Sequence, residues 1–138
     1  MQETRLVLDT NVVVSAHLKS TGFERFIFEL ALDSKVRLCI SREIMGEYEE
    51  VLMRPKFGLP PKLLHETFRR IKEAAIWVVP SEIINAAFDP DDNIFLECAE
   101  VARAHYLVTG NGRHFPGRWK STKIVNAREL TMILVPEL

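Results

Sequence analysis

Cysteine is scarce in this chain. Cys39 and Cys98 are the two present, and they form no Cys-x-x-Cys pair. A disulfide-built scaffold is thereby excluded. Cys39 sits in an apolar run and Cys98 in a helical pattern, so both read as buried free thiols of a cytoplasmic protein. Long hydrophobic runs are also missing: nothing approaches the roughly 18 apolar residues needed to cross a bilayer. The opening Met1-Gln2-Glu3-Thr4-Arg5 has neither the basic start nor the apolar core of a signal peptide. The histidines, His17, His65, His105 and His114, show no paired ligand spacing, which disfavours zinc. No repeat, low-complexity tract or linker stands out. The most insertion-like stretch, Arg54 to Pro61, is too short for a domain boundary. What remains is the composition of an ordinary globular protein, 47% hydrophobic and 27% charged over 138 residues, the size of a single domain spanning residues 1–138.

The net charge of −1 excludes little by itself, but its distribution is uneven. Arg103, Arg113, Arg118, Lys120, Lys123 and Arg128 occur in a stretch without an acid. Asp89, Asp91, Asp92, Glu97 and Glu100 occur in one without a base. Such segregation suits a protein that holds cations in one place and phosphates beside it, and it equally suits a solvated basic loop.

Short apolar runs at Arg5–Asp9, Val36–Ile40, Ile76–Val79, Tyr106–Thr109 and Lys123–Asn126 read as strands. Helical patterns separate them, at Phe23–Leu32, after Ser41 (Ile44, Tyr48, Val51, Leu52), and after Pro60-Pro61 (Leu64, Phe68, Ile71). Asp89-Pro90 opens another that runs to about Ala104, and Asn126-Ala127-Arg128-Glu129 resembles a capping box for the last. Apolar strands alternating with amphipathic helices predict an α/β fold, one layer of four to five parallel strands between helices.

In an open parallel sheet, ligands bind outside the carboxyl ends of the strands, so polar residues just past a strand carry the interest. Asp9-Thr10-Asn11 and Thr109-Gly110-Asn111 fall there. At about 100° per residue, Glu47 flanks the stripe of Ile44, Tyr48, Val51 and Leu52, while Glu43, Glu49 and Glu50 lie farther round. Each acid also has an ordinary reading: Asp9 as a turn or cap residue, Glu47 as an edge glutamate paired with lysine, and Asp89, Asp91 and Asp92 as first-turn acids at a helix start. No helix start is read directly after Asp9. Carboxylates gathered together repel, and a hard cation such as Mg²⁺ or Mn²⁺ resolves this with oxygen ligands.

The order Leu8-Asp9-Thr10-Asn11, then Ser41 with Glu47 on a helix, then Asp92-x-x-x-Leu96-x-x-Ala99, then Val108-Thr109-Gly110-Asn111 resembles the PIN domain family, from Leu6 to about Leu134. The resemblance implies an α/β/α sandwich and a Mg²⁺- or Mn²⁺-dependent endoribonuclease that hydrolyses RNA with a metal-activated water. It also implies a VapC-like toxin, often a homodimer, with a small antitoxin protein as partner. Carried over, the metal-binding and catalytic acids fall on Asp9, Glu47 and Asp92, with Asp91 adjacent. Many members carry aspartate where this chain has Asn111, whose amide oxygen can still face a metal without adding charge. Asn11 and Thr109 then orient the carboxylates. Arg113, His114, Arg118 and Lys120 grip the RNA backbone, with Trp119 either stacking on a base or simply packed. Two rivals stand beside this reading. One is a non-catalytic RNA- or protein-binding PIN domain, which Asn111 favours. The other is a phosphatase of the haloacid dehalogenase type, which wants Asp-x-Asp and meets Asn11 instead.

Overall fold

The structure, a computed structural model, describes residues 3–87 and 89–137. Met1 and Gln2 of the start segment, read above for a signal peptide, lie outside them. Strand β1 (Arg5–Leu8) passes at once into helix α1 (Thr10–Leu18), followed by α2 (Phe23–Leu32). Next come β2 (Arg37–Ile40), α3 (Arg42–Leu52), α4 (Pro61–Ala74) and the short β3 (Ile76–Trp77). A 3₁₀ turn at Pro90–Asp92 leads into α5 (Asn93–Ala102) and β4 (Tyr106–Val108). The chain ends with β5 (Arg118–Trp119), β6 (Thr122–Val125) and α6 (Ala127–Leu134).

The strands lie in the order β3-β2-β1-β4-β6-β5. The first five in that order pair in parallel, as expected from the apolar runs. β5 pairs antiparallel with β6, Trp119 opposite Thr122, so the sheet carries a sixth, antiparallel edge strand that the sequence did not announce. Two residues inside a basic stretch offer no alternation to read. Leu6, Val7 and Leu8 are fully buried, as are Leu38, Cys39 and Ile40, because helices cover these strands on both faces. α5 packs on β1, β2 and β4, whereas α2 touches β2, α1, α4 and α6. Right-handed crossovers put these two groups on opposite faces. Cys39 and Cys98 are buried free thiols, and burial pushes Cys39 up to about 11. Among the described residues no helix is long and apolar enough to cross a membrane.

Two helix expectations need correction. α1 begins directly after Asp9, where no helix start was read. Its Val12-Val13-Val14 run has low helix propensity and buries all three side chains, so no amphipathic period betrays it; tertiary burial overrides propensity. The helix expected from Asp89 begins as a 3₁₀ turn. Asp89 Oδ1 accepts from Asp91 N at 3.0 Å, Pro90 follows, and α-helix starts only at Asn93. The capping box at α6 is present in both directions: Glu129 N donates to Asn126 Oδ1 at 2.7 Å, and Asn126 N donates to Glu129 Oε1 at 3.0 Å.

One buried bond ties α3 to the sheet. Ser41 Oγ accepts from Ile44 N at 3.2 Å and starts the helix at the end of β2. One turn on, the fully buried Tyr48 donates its hydroxyl to the Leu8 carbonyl at 2.5 Å. Tyr48→Phe removes the donor without opening a cavity and leaves that carbonyl unpaired, so the expected loss is about 1–3 kcal/mol. Urea unfolding measures it, and an unchanged midpoint would show that the bond contributes nothing.

Candidate active site

From β1 the chain moves to β2 and β3 on one side, while β4 and β6 lie on the other. The order therefore reverses between β1 and β4, and the crevice outside their carboxyl ends is where such sheets bind ligands. Asp9 follows β1 and Thr109 follows β4. The Asp9 residue is 5% exposed, and its Oδ2 accepts from Thr109 Oγ1 at 2.7 Å. Thr109 Oγ1 in turn accepts from Asn111 N at 3.0 Å. Burial raises the Asp9 pKa above 3.8, opposed by the Thr109 hydroxyl and the Thr10 N–H, then by His114 and the Asn11 N–H.

Glu47 reaches the same place from α3. It is half-buried and accepts the Thr10 hydroxyl. Burial raises its pKa, the Thr10 bond opposes the rise, and Asp9 and Asp91 add to it. The lysine-paired edge glutamate is instead Glu49, 3.7 Å from Lys72 Nζ. Asp92 ends the 3₁₀ turn before α5 with its side chain 19% exposed and its Oδ2 3.6 Å from His114 Nδ1. Burial, then Asp9 and Asp89, push its pKa up to about 6, against His114. Asp9, Glu47, Asp89, Asp91, Asp92, Asn111 and His114 all line one open groove of about 440 Å³. Among the described residues no lysine or arginine forms an ion pair with Asp9, Glu47 or Asp92.

The remaining sequence candidates divide. Asn111 is exposed on the groove wall, and its side chain makes no hydrogen bond among the described residues. Asn11 was expected to orient a carboxylate. Its Oδ1 instead accepts from Gly110 N at 3.3 Å, clamping α1 to the loop after β4. Arg113 is exposed in the 3₁₀ turn Gly112–His114 and so stays beside the groove. Arg118 and Lys120 do not. Arg118 is opposite Lys123, which in turn is opposite Tyr106, the first residue of β4, and Lys120 lies in the turn before β6. Both therefore sit at the amino-terminal edge of the sheet, away from the carboxylates, and Lys120 is paired with Glu100. Trp119, beside them, is half-buried and partly packed on the core. Two residues had no assigned role in the sequence reading: Thr10, which holds Glu47, and Tyr48, which fixes α3. The Thr10 signal lay within Leu8-Asp9-Thr10-Asn11, one residue from the acid.

The sequence model of the PIN domain family matches residues 5–113. This chain belongs to the PIN domain family. A protein of Methanocaldococcus jannaschii, itself uncharacterized, is 26% identical over 111 residues, covering 78% of this chain and 70% of the relative. PIN domains are generally nucleases, and a phosphatase built on Asp-x-Asp is set aside. The PIN domain's acids fit a hard divalent cation by chemistry: they are oxygen donors, Asp9 raises the pKa of both Glu47 and Asp92, and none is paired with a lysine or arginine among the described residues. They are not drawn into a finished cage, because no three such side chains among the described residues stand ready to hold a metal.

The pKa directions set a pH dependence. Asp92 ionises near 3.8 when unfolded and at about 6 when folded, so the folded state holds this proton more tightly. That contribution is present below about pH 4 and is lost as pH rises toward about 7. Asp9 and Glu47 shift the same way. In chelator, Asp92→Asn is expected to gain melting temperature relative to wild type as pH rises through this window. A difference that stays flat from pH 4 to 7 would show Asp92 to be an ordinary solvated acid.

Proposed function

We propose that this PIN domain, as a single domain, is a divalent-cation-dependent endoribonuclease. The observation that carries the reading is the set of Asp9, Glu47 and Asp92 in one groove at the sheet's switch point, each with its pKa raised by burial and, among the described residues, none paired with a lysine or arginine. Mg²⁺ or Mn²⁺ held by these three, with Asn111 beside them, supplies Lewis-acid polarisation of a phosphodiester and lowers the pKa of water there. The Thr109 hydroxyl fixes the Asp9 carboxylate, and the Thr10 hydroxyl fixes Glu47. His114 sits against Asp92 while Arg113 stands exposed beside it, placed to meet backbone phosphates. The toxin role, a small antitoxin partner, a homodimer and a cytoplasmic setting are carried by the family likeness and complete the proposal. A non-catalytic RNA-binding domain is the second reading, favoured by Asn111 at a position where an acid would add charge.

The test is cleavage of single-stranded RNA with Mn²⁺ and with chelator. Asp9→Asn is expected to lower the rate on the order of 100-fold or more while the fold survives. Equal cleavage with chelator would sink the metal-dependent reading, and RNA binding without cleavage at any divalent cation would favour the second one.

Asn111 gives a sharper outcome. Asn111→Asp adds a negative charge beside the cation, an attraction on the order of several kcal/mol at an effective dielectric near 20. Repulsion from the three acids and desolvation offset most of this, and the net result is tighter Mn²⁺ binding. Calorimetric titration of both proteins measures it, and equal affinities would remove Asn111 from the site.

A further inference from the structure

The acidic groove has a wall with different chemistry. Asp9, Glu47, Asp89, Asp91 and Asp92 line it, yet among its described lining residues Arg54 is the one lysine or arginine and Phe57 the one phenyl ring. Both belong to Arg54-Pro55-Lys56-Phe57-Gly58, the connection from α3 to α4. Pro55–Phe57 forms a 3₁₀ turn that closes on Gly58 at φ +60°, where glycine has no steric cost. Phe57 N donates to Arg54 O at 3.1 Å and Gly58 N to Pro55 O at 3.0 Å. The two side chains therefore stand on a fixed turn at the rim of the groove.

The plain reading is that Arg54 is a helix-end partner of Glu50 and Phe57 a packing residue. Glu50 uses only one nitrogen of the guanidinium: Nη2 donates to its two oxygens at 3.1 and 2.9 Å. Nε and Nη1 make no hydrogen bond among the described residues, so Glu50 aims the group and leaves most donors unspent. Phe57 packs on the core yet is only half-buried. Over its ring lies the exposed Lys56, its ammonium 5.1 Å from the centroid, and a flat ligand stacking there takes the place of that cation.

We infer that Arg54 and Phe57 form a nucleotide subsite at the rim of the acidic groove, Arg54 holding the phosphate next to the one cleaved and Phe57 stacking on its unpaired base. This rests on the ribonuclease reading. Planar guanidinium donors suit a phosphate, and they hold a polyanion beside carboxylates that would otherwise repel it. Every base has a π-face, so the subsite selects for single strands and reads little sequence.

The experiment is fluorescence anisotropy of a labelled single-stranded oligouridylate with Ca²⁺ in place of Mg²⁺, the RNA verified intact on a gel. Phe57→Leu keeps an apolar side chain on the core and is expected to weaken binding about tenfold, while Phe57→Tyr restores it. Arg54→Gln, at an exposed position, is expected to flatten the salt dependence by about one unit of slope. Mn²⁺ is expected to raise the melting temperature of both variants as much as that of wild type, because neither residue holds the cation. Wild-type affinity in both Phe57→Leu and Arg54→Gln would overturn the subsite alone. Equal loss on duplex RNA, which offers no unpaired base, would also overturn it and assign Phe57 to the fold. Failure of the wild-type protein to bind RNA at all would overturn the subsite and the ribonuclease reading together.

Discussion

The reversal of strand order between β1 and β4 is the constraint from which the site follows. Two neighbouring parallel strands whose connections leave in opposite directions keep the space at their carboxyl ends open. Asp9 and Thr109 are the first residues past those ends, and pairing of Leu8 with Val108 sets them side by side. The 2.7 Å bond between them is thus a consequence of sheet register. Shifting β1 by one residue would flip the fully buried Leu6, Val7 and Leu8 across the sheet, so the core that fixes register also fixes the carboxylate.

The second acid is placed by a pair of adjacent contacts. Tyr48 donates to Leu8 and its neighbour Glu47 accepts from Thr10, so two consecutive residues of α3 grip positions on either side of Asp9. The tyrosine bond is wholly buried and structural, and the glutamate bond faces the groove. Helix α1 earns its irregular sequence here. Its three valines carry no helical preference, but their burial holds Thr10 at the helix start, where its hydroxyl can reach Glu47.

Much of this was legible before any coordinates. The strands buried on both faces stood out as apolar runs, and the capping box at Asn126 was present as expected. Glu47 could be separated from Glu43, Glu49 and Glu50 by helical phase, and Glu49 in fact takes the lysine. What escaped was non-local. α1 hid because three valines suggest a strand and no polar face marks a helix. β5 is two residues long. The role of Asn11 depends on Gly110, 99 residues away, and the position of Lys120 depends on a strand pairing that composition does not reveal. Charge segregation along the chain suggested one basic surface, but the sheet divides it, leaving Arg113 at the carboxyl edge and sending Arg118 and Lys120 to the other.

That division bears on how an acidic groove accepts an anion. If all the basic residues faced Asp9, Glu47 and Asp92, they would neutralise the carboxylates within the protein and leave no demand for a cation. Instead Arg54, the one lysine or arginine among the groove's described lining residues, is turned toward Glu50, and Lys120 is spent on Glu100 at the far edge. No lysine or arginine pairs with the three acids among the described residues, and burial raises all three pKa values while His114 opposes the rise at Asp9 and Asp92. Buried acids without a lysine or arginine partner weaken the folded state at neutral pH, and under the proposed function a divalent cation would relieve this by binding that state. The same arrangement that costs stability would then supply affinity for the ion. Held by Asp9, Glu47 and Asp92, such an ion would offset their negative charge, and Arg54 on the rim would then face a groove able to accept a phosphate.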